Sequence, residues 1–176
     1  MTKILLLDKD GTLVVPASRA KFVNIPTDQK PMDGVNNAID YYLKNDWNLM
    51  IISNQGGVAA GHKSLEDAIA EMRFAMDLFP GIEQAYFCPC DLKSEGDHCW
   101  YVSNGWEMKI DWKISALGYS SGFRKPHPGM LQLAIAGSVD EVLYVGDRPE
   151  DEQAAAAANV PFMWAEQWRV SIHASH

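Results

Sequence analysis

Short apolar runs and amphipathic stretches alternate along this chain. Residues 3–7, 47–53, 84–88, 141–146 and 160–164 are apolar runs, several of them ending in polar or glycine-rich turns, and they read as buried strands. Between them, 34–45, 64–79, 127–137 and 150–159 carry helical patterns. The second is the most explicit: Ser64 is a candidate N-cap with Asp67 three residues on, and Leu65, Ile69, Met72, Met76 and Phe79 recur at helical spacing. Strand and helix in alternation predict an α/β fold, a parallel sheet with helices on both faces. Such sheets gather ligands beyond the carboxyl ends of their strands. Residues 89–124, rich in Gly, Ser and Trp, interrupt the alternation as an irregular insert, within which 101–108 suggest a small hairpin turning at Asn104-Gly105. No repeat, low-complexity tract or linker divides the chain, so residues 1–176 are expected to form a single domain.

Composition narrows the picture. A 47% hydrophobic, 22% charged chain of 176 residues suits a substantial core. Fifteen basic against twenty-three acidic residues give a formal charge of -8, which weakens general affinity for nucleic acid phosphates and leaves room only for a local basic groove. No stretch approaches the roughly 18 apolar residues of a membrane span, and no secretory pattern opens the chain, so the expectation is a cytoplasmic protein without membrane partners. Cys88, Cys90 and Cys99 cannot all pair internally and crowd one segment, which fits reduced thiols or metal ligands better than a disulfide framework.

The chemistry collects where the strands end. "ILLLDKDGTLV" closes the first apolar run with Asp8 and Asp10, two residues apart and so on one side of an extended chain, roughly 7 Å apart by strand rise. Like charges this close raise each other's proton affinity unless a cation intervenes, so the pair predicts a divalent metal or a proton-sharing acid/base couple; the plain alternative is a solvated strand end. "LMIISNQGG" ends a second run in Ser53, Asn54 and Gln55, short polar groups suited to an anion. "FRKPHPGM" offers Arg124 and Lys125 before a helix, and "VLYVGDRPEDEQAA" ends a strand in Gly146 and Asp147, with Asp151 in the next helical turn. Each has a bland reading alone. Together they supply acid, anion binder, cation and metal ligand at one end of a sheet.

"DKDGTLV", "IISNQGG", "RKPHPGM" and "GDRPEDEQAA" resemble the four ordered motifs of the haloacid dehalogenase-like (HAD) phosphatase superfamily, over residues 4 to about 164. Within it they are most similar to the branch of histidinol-phosphate phosphatase, heptose-bisphosphate phosphatase and the polynucleotide 3'-phosphatase domain. The resemblance implies a Rossmann-like three-layer sandwich with no large cap domain, and a phosphomonoesterase that works through an aspartyl-phosphate. On these positions, Asp8 would attack phosphorus, and Asp10 would protonate the leaving alcohol and then deprotonate water, helped by a pKa raised toward neutrality. Mg2+ would bind Asp8, the Asp10 backbone carbonyl and Asp147, with Asp151 assisting. Ser53, Asn54 and Lys125 would hold the phosphoryl oxygens, and Gln55 and Arg124 would meet the rest of the substrate.

One departure from the branch concerns zinc. Its bacterial members carry two separated Cys/His pairs, the second just before Arg-Lys-Pro, where this chain reads "SSGFRKP". Cys88, Cys90, His98 and Cys99 instead fall within twelve residues, a donor set of the right kind for structural Zn2+, although adjacent His98 and Cys99 strain joint ligation. The expected substrate is a small phosphorylated metabolite of sugar-phosphate or histidinol-phosphate type. The alternatives are the 3' end of a polynucleotide, on which Trp100, Tyr101, Trp106, Lys109, Trp112 and Lys113 of the insert would stack and pair, and a metal-stabilised binding module without catalysis. The insert is expected to overhang the Asp8 cleft and set selectivity.

Overall fold

The protein is described by a computed structural model over residues 1–91, 98–111 and 122–171. In chain order the elements are β1 (Lys3–Leu7), β2 (Val14–Val15), β3 (Lys30–Pro31), α1 (Val35–Lys44), β4 (Trp47–Asn54), α2 (Leu65–Leu78), β5 (Ile82–Cys88), β6 (His98–Ser103), β7 (Trp106–Asp111), α3 (Gly129–Ala134), β8 (Glu141–Gly146), α4 (Pro149–Ala158), β9 (Phe162–Trp164) and α5 (Ala165–Ser171). Seven strands form one sheet in the order β7-β6-β5-β4-β1-β8-β9, and β2 and β3 pair separately. From β5 to β9 all neighbours are parallel; β6 and β7 add an antiparallel edge.

The unbroken apolar run of β1 follows from its central position. Leu5 lies between Leu49 and Leu143, and Leu7 between Ile51 and Val145. Alternate residues face opposite layers: Leu5 and Leu7 join the core under α1, α2 and α5 with Ile39, Met72 and Trp168, whereas Ile4 and Leu6 join Met130, Leu131, Ala154 and Ala155 under α3 and α4. A strand covered on both faces needs no polar alternation, and each leucine taken fully from water contributes about 2 kcal/mol. The chain leaves β1 toward β4 on one side and β8 on the other, so the crevice of the strand-order reversal opens at Asp8.

Local signals set most boundaries. Ser64 caps α2, its hydroxyl accepting from Asp67 N–H at 3.0 Å, and Glu66 and Asp67 complement the helix dipole. Pro149 opens α4. The third helix is shorter than the expected 127–137, since Gly129–Ala134 alone are helical and Gly137 sits at φ +119°. Missed entirely are β2, β3 and α5, segments of two to seven residues too short to show a period. The hairpin turning at Asn104-Gly105 is present, with Gly105 at φ +99°, and is longer than expected. Its strands make the described part of the insert regular, an extension of the sheet. Among the described residues no helix is long and apolar enough to cross a membrane.

Candidate active site

Asp8 continues β1 by one hydrogen bond, its N–H donating to Val145 O at 2.9 Å, and its carboxylate is buried at the mouth of the crevice. Lys125 Nζ stands 2.6 Å from Asp8 Oδ1 and 2.6 Å from Asp151 Oδ1. The same ammonium lies 3.1 Å from Ile52 O and 2.9 Å from the Tyr144 hydroxyl, which donates to Asp151 at 2.7 Å. Asp151 is held in turn by the Arg148 N–H on its Oδ2 at 3.1 Å, across the first turn of α4. Asp8, Asp147 and Asp151 each bring a carboxylate oxygen within 4.8 Å of the others, the only such convergence of three or more His, Cys, Asp or Glu ligand atoms among the described residues.

That crowding sets the electrostatics. Burial pushes the Asp8 carboxyl up to about 7, with Asp151 and Asp147 adding to the shift and Lys125 opposing it. Asp147, the exposed member, is also raised, by partial desolvation and by Asp151, against Arg148. Burial would lower Lys125, but Asp8 and Asp151 override it and hold the ammonium above its usual range. Tyr144 is pushed well up by burial and the same two carboxylates, and so remains a phenol. Three hard oxygen donors with one ammonium between them are a fitting donor set for Mg2+. Two glycines make the approach possible: a Cβ on Gly11, at φ +89°, would collide with the Asp147 carboxylate, and one on Gly146 would lie 2.6 Å from Asp151 Cγ.

Asp10 belongs to a different cluster. Lys9, fully buried between the two aspartates, reaches Asp10 Oδ1 at 2.6 Å, Gln29 Oε1 at 3.3 Å and Glu71 Oε2 at 3.4 Å. Gln55 Nε2 donates to Asp10 Oδ2 at 2.9 Å and to Ser53 Oγ at 3.0 Å. Lys63 Nζ donates to Gln55 Oε1 at 3.1 Å and pairs with Glu71. Burial alone would raise the Asp10 carboxyl, yet Lys9, Gln55 and Lys63 hold it below the usual carboxylate range. The expected upward shift therefore falls on Asp8, and Asp10 rests as a carboxylate.

One cavity of about 840 Å³ joins Asp8, Asp10, Asn54, Gln55, Arg124, Lys125, Asp147 and Asp151. Ser53 is not on its wall, being buried behind Gln55. Asn54 spends its amide on the backbone of Lys125, donating to O and accepting from N–H at 3.0 Å each, so it fixes the lysine's segment. Arg124 lines the cavity while donating to Cys90 O at 2.8 Å. The outer wall comes from Val14–Pro16 and Lys21–Asn24, ahead of β3. Of the insert's described residues, which leave out 92–97 and 112–121, only Arg124 lines the cavity. Tyr101 instead packs between Tyr86 and Trp106, at 5.0 Å from each, and Lys109 pairs with Asp111 at 2.9 Å. Trp112 and Lys113 lie outside the described residues.

The sequence model of the polynucleotide kinase 3 phosphatase family matches residues 3–168. The chain belongs to that family. Its relatives include the D-glycero-beta-D-manno-heptose-1,7-bisphosphate 7-phosphatase of Haemophilus influenzae, 30% identical over 168 residues that cover 91% of this chain and 79% of the relative. The Escherichia coli K12 protein of the same name is 28% identical over 163 residues, covering 89% and 74%. In fold the chain is similar to D,D-heptose 1,7-bisphosphate phosphatase from B. bronchiseptica, a structure with magnesium and phosphate, at TM-score 0.63 and 22% identity over 92% of this chain and 79% of that one. The chain is thus a phosphatase of the HAD superfamily, with the predicted sheet flanked by helices.

The described residues do not support the zinc expectation. Cys88, Cys90 and Cys99 are buried, and Cys90 Sγ lies 3.3 Å from His98 Nδ1, yet Cys88, Cys90, His98 and Cys99 do not converge as a set of three or more ligand atoms. Three cysteines on β5, on β6 and just past β5 share the core with Ile52 and Phe123. Sequence reasoning missed Tyr144, Lys9, Lys63 and Glu71. Tyr144 reads as one more apolar residue of its strand, Glu71 lies off the apolar stripe of its helix, and nothing local distinguishes a buried charge from a surface one.

Proposed function

We propose that Asp8 is the nucleophile of an Mg2+-dependent phosphomonoesterase acting on a small sugar-type phosphate. The observation that carries this reading is the arrangement of Asp8, Asp147 and Asp151 around one cavity with Lys125 in contact with two of them. An oxygen of Asp8 forms a bond to phosphorus as the ester P–O bond breaks, leaving an aspartyl-phosphate and an alcohol. Asp10 delivers the proton to the departing oxygen, a proton that the phosphomonoester monoanion carries in because the resting Asp10 is ionised. In the second half Asp10 takes a proton from water, the water oxygen bonds phosphorus, and the Asp8 oxygen leaves. Lys125 holds a phosphoryl oxygen and steadies the charge that develops there. Asp8, Asp147, Asp151 and the Asp10 backbone carbonyl would hold Mg2+, which neutralises the nucleophile and the phosphate it must approach. Asn54 fixes Lys125, and Arg124 with Lys21–Asn24 faces the remainder of the ester.

A cavity of about 840 Å³ with its own outer wall suits a metabolite, as do relatives named for a heptose bisphosphate. The family description and the basic rim of Lys21, Arg124 and Arg148 favour a second reading, the 3' end of a polynucleotide. The test is a comparison of sugar phosphates with a 3'-phosphorylated oligonucleotide, with Mg2+, at low and high salt. The metabolite reading expects salt-insensitive turnover of a sugar phosphate; steeply salt-dependent cleavage of the oligonucleotide alone would replace it. In either case Asp8→Asn should abolish turnover, by at least about a thousandfold, and an unchanged rate would remove Asp8 as nucleophile.

A further inference from the structure

Glu71 is a carboxylate buried to 1% on α2, off the cavity wall, with two ammoniums on it. We infer that Glu71 is the positioning residue that aims the Asp10 carboxylate at the leaving oxygen, an inference that rests on the acid/base role proposed for Asp10. A buried ion-pair set gives little stability that a well-packed apolar set would not give, so geometry is the better account of its use. Each Asp10 oxygen has its own donor, Lys9 on Oδ1 and Gln55 on Oδ2. The two donors are themselves set by Glu71. Its Oε2 draws Lys9, whose remaining neighbour, Gln29, is anchored to Glu71 O at 3.1 Å and Pro26 O at 2.6 Å. Its other oxygen, Oε1, holds Lys63, and Lys63 decides which way the Gln55 amide faces. An ammonium can only donate, so the Gln55 oxygen must turn to Lys63 and its NH₂ to Asp10 and Ser53. Glu71 thus fixes both ends of the Asp10 carboxylate through one lysine each.

Glu71→Gln keeps the shape and breaks the arrangement, because an amide NH₂ facing a second ammonium cannot accept from it. One lysine is released and Asp10 loses an oriented donor. The expected signature depends on the leaving group. For glycerol phosphate, whose alkoxide must be protonated as it leaves, kcat/KM should fall about 30-fold, a part of the hundredfold or more that a positioned acid supplies. For p-nitrophenyl phosphate, whose phenolate leaves unprotonated, kcat/KM should fall less than about threefold; this ratio reports only steps through phosphoenzyme formation. Mg2+ affinity by calorimetry should be unchanged. Lys63→Gln, on the partly exposed loop before α2, is the second variant should Glu71→Gln fold poorly, and it should show the same selectivity between esters. Equal losses on both esters, or no loss on glycerol phosphate, in either folded variant overturns the inference. Wild-type protein inert toward both esters with Mg2+ would instead overturn the acid/base reading beneath it.

Discussion

Two charge clusters flank the end of β1. On the β8 side, Asp8, Asp147 and Asp151 share one ammonium, Lys125. On the α2 side, Asp10 and Glu71 share two, Lys9 and Lys63. Three carboxylates against one ammonium leave an excess of negative charge, and the Asp8 carboxyl responds by rising to about 7. Two against two balance, and Asp10 is held down. The clusters stand two residues apart on one turn, yet only the first carries an excess of negative charge that a cation would offset. The second is balanced within itself, which is what a group that must be aimed, and not neutralised, requires.

The largest effect should come from removing the ammoniums. Lys125→Met leaves two buried carboxylates uncompensated and should cost about 3–5 kcal/mol at pH 8. The sign with pH follows from Asp8. Its folded pKa lies above its unfolded value of 3.8, so its ionised form costs stability above that value. The variant should therefore recover stability as pH falls from 8 to 5, and also on adding Mg2+. Lys9→Met, at a side chain equally buried, should destabilise by a similar amount without recovery by Mg2+. Chemical denaturation of both variants with and without the ion is the measurement; equal rescue would erase the distinction between the clusters.

A smaller effect concerns proton release in the wild type. On the proposed reading Mg2+ binds the ionised form of Asp8, so binding should displace the proton held with a pKa of about 7. Apparent Mg2+ affinity should rise about tenfold from pH 6 to pH 8, with nearly one proton released per ion at pH 6 and few at pH 8. Calorimetry in buffers of different ionisation enthalpy reads both quantities. A flat profile would mean that the ion does not engage Asp8.

The two clusters were not equally legible in the sequence. Asp8, Lys125, Asp147 and Asp151 are placed by strand ends and helix starts, and local periodicity finds those, so their convergence was readable from the sequence. The partners of Asp10 are not. Lys9 looks like a solvated lysine between acids, Glu71 falls within a helix whose apolar stripe says nothing of it, and Lys63 precedes a cap. Only the packing of α2 against the turn after β1 brings them together, a contact across more than sixty residues. The zinc expectation gains no support for a related reason: proximity of Cys88, Cys90, His98 and Cys99 in sequence does not by itself fix convergence once β5 and β6 pair as antiparallel strands. The described middle of the insert read as irregular because its short runs show no long period, whereas β6 and β7 find backbone partners at the sheet edge.

The smallest effect separates the two candidate overhangs. Residues 14–16 and 21–24 wall the cavity while the β6–β7 hairpin lies at the far edge of the sheet, so selectivity for the ester's non-phosphate part should reside in the former. Phe22 is the exposed aromatic of that wall, 62% accessible, with Lys21 Nζ 5.1 Å from its ring centre. Val23 beside it is buried, and Ser18 closes the loop on Asp28 through its N–H and its hydroxyl, both at 2.7 Å, so the ring is presented on an anchored segment. Contact of an apolar sugar face with such a ring contributes about 0.5–1 kcal/mol, which is a factor of about three in KM. Phe22→Ala should raise KM for a sugar phosphate by that factor while leaving kcat alone, since the phosphoryl group is held elsewhere. Trp106→Ala, at another exposed aromatic, on β7, should leave KM unmoved. The reverse pattern, an effect at Trp106 and none at Phe22, would return the selectivity to the hairpin and with it the first expectation for residues 89–124.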